Sequence, residues 1–316
     1  MRSSSFFNVF PPPKFLLMPH VGIDISDDAI SFIEYTRPTG DRKLTKFGRI
    51  PLGPDIIEGG DIKDEQKLIS ILTDMVHTHD ISYAKVSIPE EKAYLFETEI
   101  PYGDLKAISQ NIEFKLEENI PLSAPDAVFA FDVLPGDRNK PWRASVSAVP
   151  RTYIEHMMNL LHTSGITPLA FETIPRAIAR IISSEKSGDV LIIHAMSRKT
   201  GVYVISQQAV GFTSTIGVGY LGEDISAYTD TVATEVRRVY NYWFGKNVAT
   251  GSNIKEVIII GHDADTIAPL LRTKVVDILP VHAVDVWREV VNTSYYVPPI
   301  PKADSYEYAP SVGLAL

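Results

Sequence analysis

Two short polar stretches of the sequence carry residue types that could do chemistry. Asp24 lies near the end of an apolar run and is followed by Ser26, Asp27 and Asp28, while far along the chain Ser197, Arg198, Lys199 and Thr200 follow His194 and Met196. The first stretch offers carboxylates and a hydroxyl at a tight turn. The second offers two cations that can grip an anion as point charges. Each also reads plainly as structure, the first as a hairpin turn with a capping aspartate and the second as a solvated hairpin tip. Other constellations are poorer. His77, His79 and Asp80 close a helical pattern, but histidines two apart point to different faces and make a weak metal site. Glu90 with Glu91 and Glu117 with Glu118 are adjacent pairs, which read as solvated charge rather than as an acid and a base. The sequence has no Gly-x-Ser-x-Gly elbow, no Walker-type loop and no cysteine, so hydrolase, P-loop and thiolate readings lack their signatures.

The elements that must position these stretches follow from the apolar periodicity. His20 to Ile25 and Ile30 to Tyr35 read as a hairpin, with a third strand around Leu44 to Ile50 after a turn at Gly40 and Asp41. Asp64 caps a helix with Leu68, Leu72, Met75 and Val76 on one face, and Lys85 to Ile88 is a short strand. Between about Ala93 and Val149 the pattern changes to strand, helix, strand, strand. Its helix has Asp104 as N-cap, Leu105, Ile108, Ile112, Leu116 and Ile120 inward, and Pro121 as stop; its last two strands flank the turn-rich Pro135 to Pro141. Helices begin at Arg151, with Ile154, Met157, Met158 and Leu161 inward, and near Pro175.

The opening unit then recurs in pattern, as Val190 to His194, Gly201 to Ser206 and Val210 to Ile216. A long helix from about Asp224 to Phe244, an apolar strand Val257 to Ile260 ending at Gly261, and a short helix with Ile267, Leu270 and Leu271 follow. Tyr295 to Pro310 reads as a loop, and Gly313 to Leu316 as a final helical turn. The expectation is an α/β chain with an arm at 1–19, a first domain at 20–188 carrying an inserted α+β subdomain at about 93–149, and a second domain at 189–316.

Composition narrows the function. With 45% hydrophobic and 22% charged residues the chain is globular, and 316 residues favour two domains. A formal charge of −9 without a Lys/Arg block argues against nucleic acid. No apolar run reaches the roughly 20 residues of a membrane-spanning helix. In the arm, Pro11 to Pro13 interrupt Phe6, Phe7, Val9, Phe10 and Phe15, so it reads as an extended segment rather than a signal peptide, its aromatic residues packing on the body or docking on a membrane or partner.

Several stretches, taken in order, resemble the PilM-like proteins of type IV pilus assembly, members of the actin-like ATPase superfamily related to FtsA. They are Val21-Gly22-Ile23-Asp24-Ile25-Ser26, Phe47-Gly48-Arg49-Ile50-Pro51-Leu52, Gly60-Asp61-Ile62-Lys63-Asp64 and Glu118-Asn119-Ile120-Pro121-Leu122, with a thinner likeness at Ile216 to Gly219, Glu235 to Tyr242 and Val312 to Leu316. The resemblance implies an actin-like, ribonuclease H-like fold of two domains clasping ATP and magnesium between two phosphate-binding hairpins. On that basis Asp24, Ser26 and Asp27 fall at the first hairpin, with Asp24 beside magnesium. Ser197, Lys199 and Thr200 fall at the second, and Arg238 and Gly261 at the adenosine side. The chain departs from the family pattern at Asp27 and Asp28, at His194 and Met196, and at His262 and Asp263, where glycines or other residues are expected. A scaffold with a degenerate nucleotide site is therefore expected. It would be cytoplasmic, peripheral to the inner membrane, and would bind the tail of a bitopic PilN-like protein and other pilus-platform proteins, in a groove between the inserted subdomain and the first domain. The alternative is an active ATP-binding or ATP-hydrolysing protein, polymerising or FtsA-like; a sugar-kinase-like phosphotransferase lacks a placeable catalytic carboxylate.

Overall fold

In a computed structural model the chain is described over residues 19–36, 42–134, 141–182, 188–221, 224–247 and 253–316. Most of the expected arm, the expected turn at Gly40 and Asp41, most of Pro135 to Pro141, and residues 183–187, where the expected domain boundary begins, lie outside these.

The first half opens with β1 (Val21–Ile25), β2 (Ala29–Tyr35) and β3 (Leu44–Pro51), an antiparallel unit whose first two strands are buried throughout. A two-residue ladder of β4 (Ile57–Glu58) and β5 (Asp61–Ile62) precedes α1 (Glu65–His79). Asp64 caps α1 by accepting from the Lys67 amide, and Leu68, Leu72 and Met75 face the core. β6 (Tyr83–Ile88) then pairs parallel to β1.

The inserted subdomain follows. β7 (Tyr94–Ile100), α2 (Leu105–Asn119), β8 (Ala127–Leu134) and β9 (Trp142–Pro150) give a three-stranded antiparallel sheet in the order β7-β9-β8. Ile108, Ile112 and Leu116 pack between helix and sheet, capped by Asp104. Leu105, expected inward, is 58% exposed at the first position of the helix. After α3 (Arg151–Thr163) comes a strand the apolar pattern does not reveal, β10 (Thr167–Thr173), parallel to β6, and then α4 (Ile174–Ile182). Met158 of α3, also expected inward, is 40% exposed.

The second half repeats the plan. β11 (Asp189–Ala195), β12 (Thr200–Ser206) and β13 (Ala209–Ile216) are antiparallel; α5 (Ile225–Lys246) leads to β14 (Ile254–Gly261), α6 (Ala264–Val275) and β15 (Val281–Ala283). β14 runs parallel to β11, and β15 parallel to β14. The two sheets, β10-β6-β1-β2-β3 and β13-β12-β11-β14-β15, therefore share one strand plan.

The end of the chain differs from the loop expected there. After α7 (Val286–Val290), the segment 302–315 forms α8 (Lys302–Ser305), a 3-10 turn at Tyr306–Tyr308 and α9 (Ala309–Ala315). Its prolines start helices rather than prevent them: Pro310 occupies the first turn of α9, where no amide donor is needed. α9 is buried along its whole length and lies against the first sheet. A Cβ on Gly22 of β1 would fall 2.2 Å from the Ser311 carbonyl oxygen, and one on Gly313 would fall 2.0 Å from that of Ala177 in α4. These glycines let backbones meet where side chains would hold them apart.

Candidate functional site

The turn joining β1 to β2 and the turn joining β11 to β12 face each other across the cleft between the sheets. The repeat places them so: in each half the leading strand sits beside its parallel partner and delivers its turn at the same end. The first turn is a hairpin in which the Ser26 amide and hydroxyl donate to the Ala29 carbonyl. The second is closed by the Met196 amide donating to the Lys199 carbonyl.

These turns are tied together. The Ser197 amide donates to Asp28 Oδ2 at 2.9 Å, and Ser197 Oγ lies 3.1 Å from His262 Nε2. His262 Nε2 is 3.6 Å from Asp28, its Nδ1 is 3.0 Å from Glu307, and Glu307 is held by Arg49 at 2.8 Å. Hydrogen bonds to Asp28 and Glu307 raise the His262 pKa to about 9. Burial works against the Asp28 carboxylate, but its bonds from His262 and Ser197 bring it down to about 2. Asp28 thus carries its negative charge into a donor set that satisfies it.

Asp27, which does not line the cleft as Asp28 does, is satisfied as well. Its carboxylate accepts from the Gly59 and Gly60 amides at 2.9 and 3.0 Å and lies 3.8 Å from Lys199. Lys199 is buried rather than solvated, and its ammonium is bound by Glu91. Although burial opposes its charge, Glu90, Glu91 and Asp27 hold its pKa above the usual lysine value. Thr200 is buried too, donating to the Val218 carbonyl with Tyr228 Oη 2.9 Å away. The plain reading of a solvated hairpin tip is therefore overturned, Arg198 alone of this stretch being exposed. Of the pair Glu90 and Glu91, Glu90 departs from solvated charge: it is buried and accepts from Tyr203 Oη at 2.6 Å, and burial raises its pKa, while Glu91 stays exposed beside Lys199.

Asp24 and Gly261 line the remaining space, with Ser26, Met196 and His262. Asp24 is buried, its Oδ1 has no hydrogen-bond partner, and burial lifts its pKa to about 6. That orphaned oxygen suits a cation. Among the described residues, however, no group of three or more His, Asp or Glu side chains is arranged to hold a metal ion. Gly261, at φ +91°, gives its close approach to the chain itself, since a Cβ there would meet the Ala195 carbonyl oxygen at 2.0 Å. Gly219 does the same against the Ser197 carbonyl at 2.2 Å, and packs the turn from behind. Arg238 does not line this space; on α5 its guanidinium pairs with Glu235 at 2.5 Å. The free volume is about 30 Å³, which holds a water molecule or so and not a nucleotide, whose pockets run to roughly 300 Å³ or more. In this arrangement the residues do not fit ATP.

Of the groups that tie the turns together, Asp28, His262, Glu307, Arg49, Glu90 and Glu91 are not among the expected site residues. Asp28 and His262 stand out as departures from the family pattern, Glu90 with Glu91 as a charged pair and Arg49 within a resembling stretch, whereas Glu307 carries no signal. A larger recess, about 240 Å³, lies where the subdomain meets the second half rather than the first, lined by Glu97, Arg143, Gln207, Gly211 and Trp243 among others.

Two sheets of one strand plan, a subdomain inserted in the first, and facing hairpin turns define the actin-like α/β fold. The chain shares this fold with a solved structure of the PilM–PilN type IV pilus biogenesis complex at TM-score 0.76 and 15% identity, over 96% of this chain and 98% of that one. Looser likenesses include the cytoplasmic domain of EpsL, an inner membrane component of the type II secretion system of Vibrio cholerae, at TM-score 0.49 and 12% identity over 77% and 82% of the two chains. Another is the ethanolamine utilization protein EutJ from Carboxydothermus hydrogenoformans, at TM-score 0.49 and 13% identity over 96% and 91%. No family model and no curated protein matches the sequence. Among the described residues no helix is long and apolar enough to cross a membrane.

Proposed function

We propose that this protein is a PilM-like scaffold that binds the cytoplasmic tail of a bitopic PilN-like membrane protein, on the inner face of a pilus assembly platform. The observation that supports it most is the match to the PilM–PilN structure across almost the whole of both chains. On this reading the chain divides near residues 184–189 into two actin-like domains, with α9 returned to the first sheet. Its localisation is cytoplasmic, peripheral to the inner membrane through its partners.

We further infer that the nucleotide site has been converted into a brace. Asp24 and Ser26 keep cleft-facing positions, whereas Asp27, Ser197, Lys199 and Thr200 serve the contacts between the turns, Gly261 serves a backbone crossing, and Arg238 an ion pair. A scaffold of this kind can take an extended peptide through main-chain hydrogen bonds and side-chain pockets without nucleotide. The orphaned Asp24 carboxylate favours one second reading, in which an opened form of the cleft takes magnesium and ATP.

The test is a fluorescence titration of the full chain with the N-terminal tail peptide of the neighbouring platform protein, without nucleotide. Saturable binding supports the scaffold. Binding that appears only with ATP and magnesium favours the second reading, and no binding under either condition removes the partner.

A further inference from the structure

We propose that the inserted subdomain is a clasp: anchored on the first half and hooked to the second through Glu97, it holds the cleft shut, and its release lets the cleft open.

The subdomain is a body with a core of its own. Ile100, Ile108, Ile112 and Val146 pack together between its helix and sheet, apart from the large core of the second half. At its base Arg151 of α3 donates to the Pro125 carbonyl at 2.8 Å and to the Ala127 carbonyl at 3.1 Å, and Lys92, just before β7, pairs with Asp61 of β5 at 2.5 Å. These contacts fix it to the first half.

The alternation of β7 decides what reaches the second half. Phe96 packs on the subdomain core, so Leu95 and Glu97, its neighbours along the strand, stand on the opposite face. Leu95 packs there against the large core. Opposite Glu97 in the ladder is Ser145 of β9, and this cross-strand pair spans the seam. Ser145 Oγ donates to the Val210 carbonyl of β13 at 2.7 Å, and Glu97 lies 3.3 Å from Lys246 Nζ at the end of α5. Arg143, diagonal to Glu97 in the same ladder, pairs with its carboxylate from within the subdomain. Gly211 leaves the space for this approach, since a Cβ there would fall 2.4 Å from the Trp243 ring and 3.4 Å from Glu97 Oε1. The Lys246 ammonium is placed in turn by the same ring, 5.2 Å from its centre.

The seam continues into the cleft. The 3-10 turn Glu90–Lys92 that leads into β7 meets Tyr203 and Lys199 of the second half through Glu90 and Glu91. A subdomain fixed to one half and hooked to the other ties the two together, so their separation requires the hook to let go. The closed cleft, with about 30 Å³ free, has room for a water molecule or so, and anything larger enters only after that release. The hook is suited to letting go. The Glu97 and Lys246 side chains are 13% and 31% exposed, and a partly solvated ion pair is readily exchanged for water. Bodies with separate cores and a polar seam move relative to one another. The clasp is made of contacts within this chain and depends on neither reading of function above.

The test uses the full chain, which has no cysteine, so pairs of engineered cysteines can be spin-labelled cleanly. Glu113→Cys on α2 with Thr234→Cys on α5 reports the subdomain against the second half, and Asp74→Cys on α1 with Thr234→Cys reports the two halves; all three positions are exposed. Pulsed electron resonance should give one short distance for each pair in the native background. Glu97→Gln should raise the ratio of long to short distances about fivefold in both pairs. Glu97→Lys, which faces Lys246 with a like charge, should make the long distance the major one, and adding Lys246→Glu should restore the short one. Glu118→Lys, a charge reversal on an exposed position of α2, should change nothing. Glu97→Gln keeps the size of the side chain and carries the test even where the reversal disturbs folding. Unchanged distances in Glu97→Gln, lengthening of the Glu113–Thr234 pair alone, equal lengthening by Glu118→Lys, or no recovery in the Glu97→Lys and Lys246→Glu double variant overturns the proposal.

Discussion

The Ser197 amide donates to the carboxylate of Asp28, 169 positions earlier in the chain, and so joins the turns of the two opposed hairpins directly. Asp28→Ala removes the acceptor and one partner of His262, and leaves the Ser197 amide to find water or remain unpaired. Urea unfolding should report a loss of about 1–3 kcal/mol. In the same variant the His262 pKa, followed by NMR, should fall from near 9 toward its ordinary value.

The brace has a pH dependence with a definite sign. His262 titrates near 6.5 when unfolded and about 9 when folded, so its contribution is complete below 6.5 and is lost as pH rises through 9. Asp28 is shifted the other way, from 3.8 to about 2, so its contribution is complete above 3.8 and is lost as pH falls through 2. Between 3.8 and 6.5 both are fully present. Relative to a His262→Gln variant, the native chain should have its largest stability advantage below pH 6.5 and lose it toward pH 9, as measured by denaturant midpoints across that range.

Asp24 works against the fold at neutral pH. Its carboxyl is raised from 3.8 to about 6, so the folded state binds the proton more tightly, and stability falls as pH rises from 3.8 through 6. Asp24→Asn should therefore stabilise the chain by about 1–3 kcal/mol at pH 8 and by little at pH 4. A thermal melt at the two pH values checks this.

Gly313→Ala should destabilise through a backbone clash, since its Cβ would stand 2.0 Å from the Ala177 carbonyl oxygen. A loss of about 1–3 kcal/mol is expected, the range for forcing an extra methyl into a packed interior. Limited proteolysis should then cut earlier near 302–308, because α9 would leave the first sheet.

The strand plan was legible because β1, β2, β11, β12 and β14 are apolar runs bounded by turn residues, and the pattern recurs. β10 was not, since Pro168 and a register shift between Pro168 and Ala170 break its alternation and only one of its seven residues is fully buried. β15 is three residues long, too short to show a period. At the site, the sequence supplied Asp24, Ser26 and Gly261 at the cleft but not its closure. Asp28 is satisfied by Ser197, Asp27 by Gly59 and Gly60, and Lys199 by Glu91, and none of these pairings is local in sequence. Carboxylates that looked repulsive to a polyphosphate are, in the fold, acceptors for backbone amides.

That the cleft is a brace and not a nucleotide site is tested most directly by calorimetric titration of the full chain with ATP and magnesium. The account expects no saturable heat through the low-millimolar range, for the native chain and for Asp24→Ala alike. Micromolar affinity in the native chain that disappears in Asp24→Ala would contradict it.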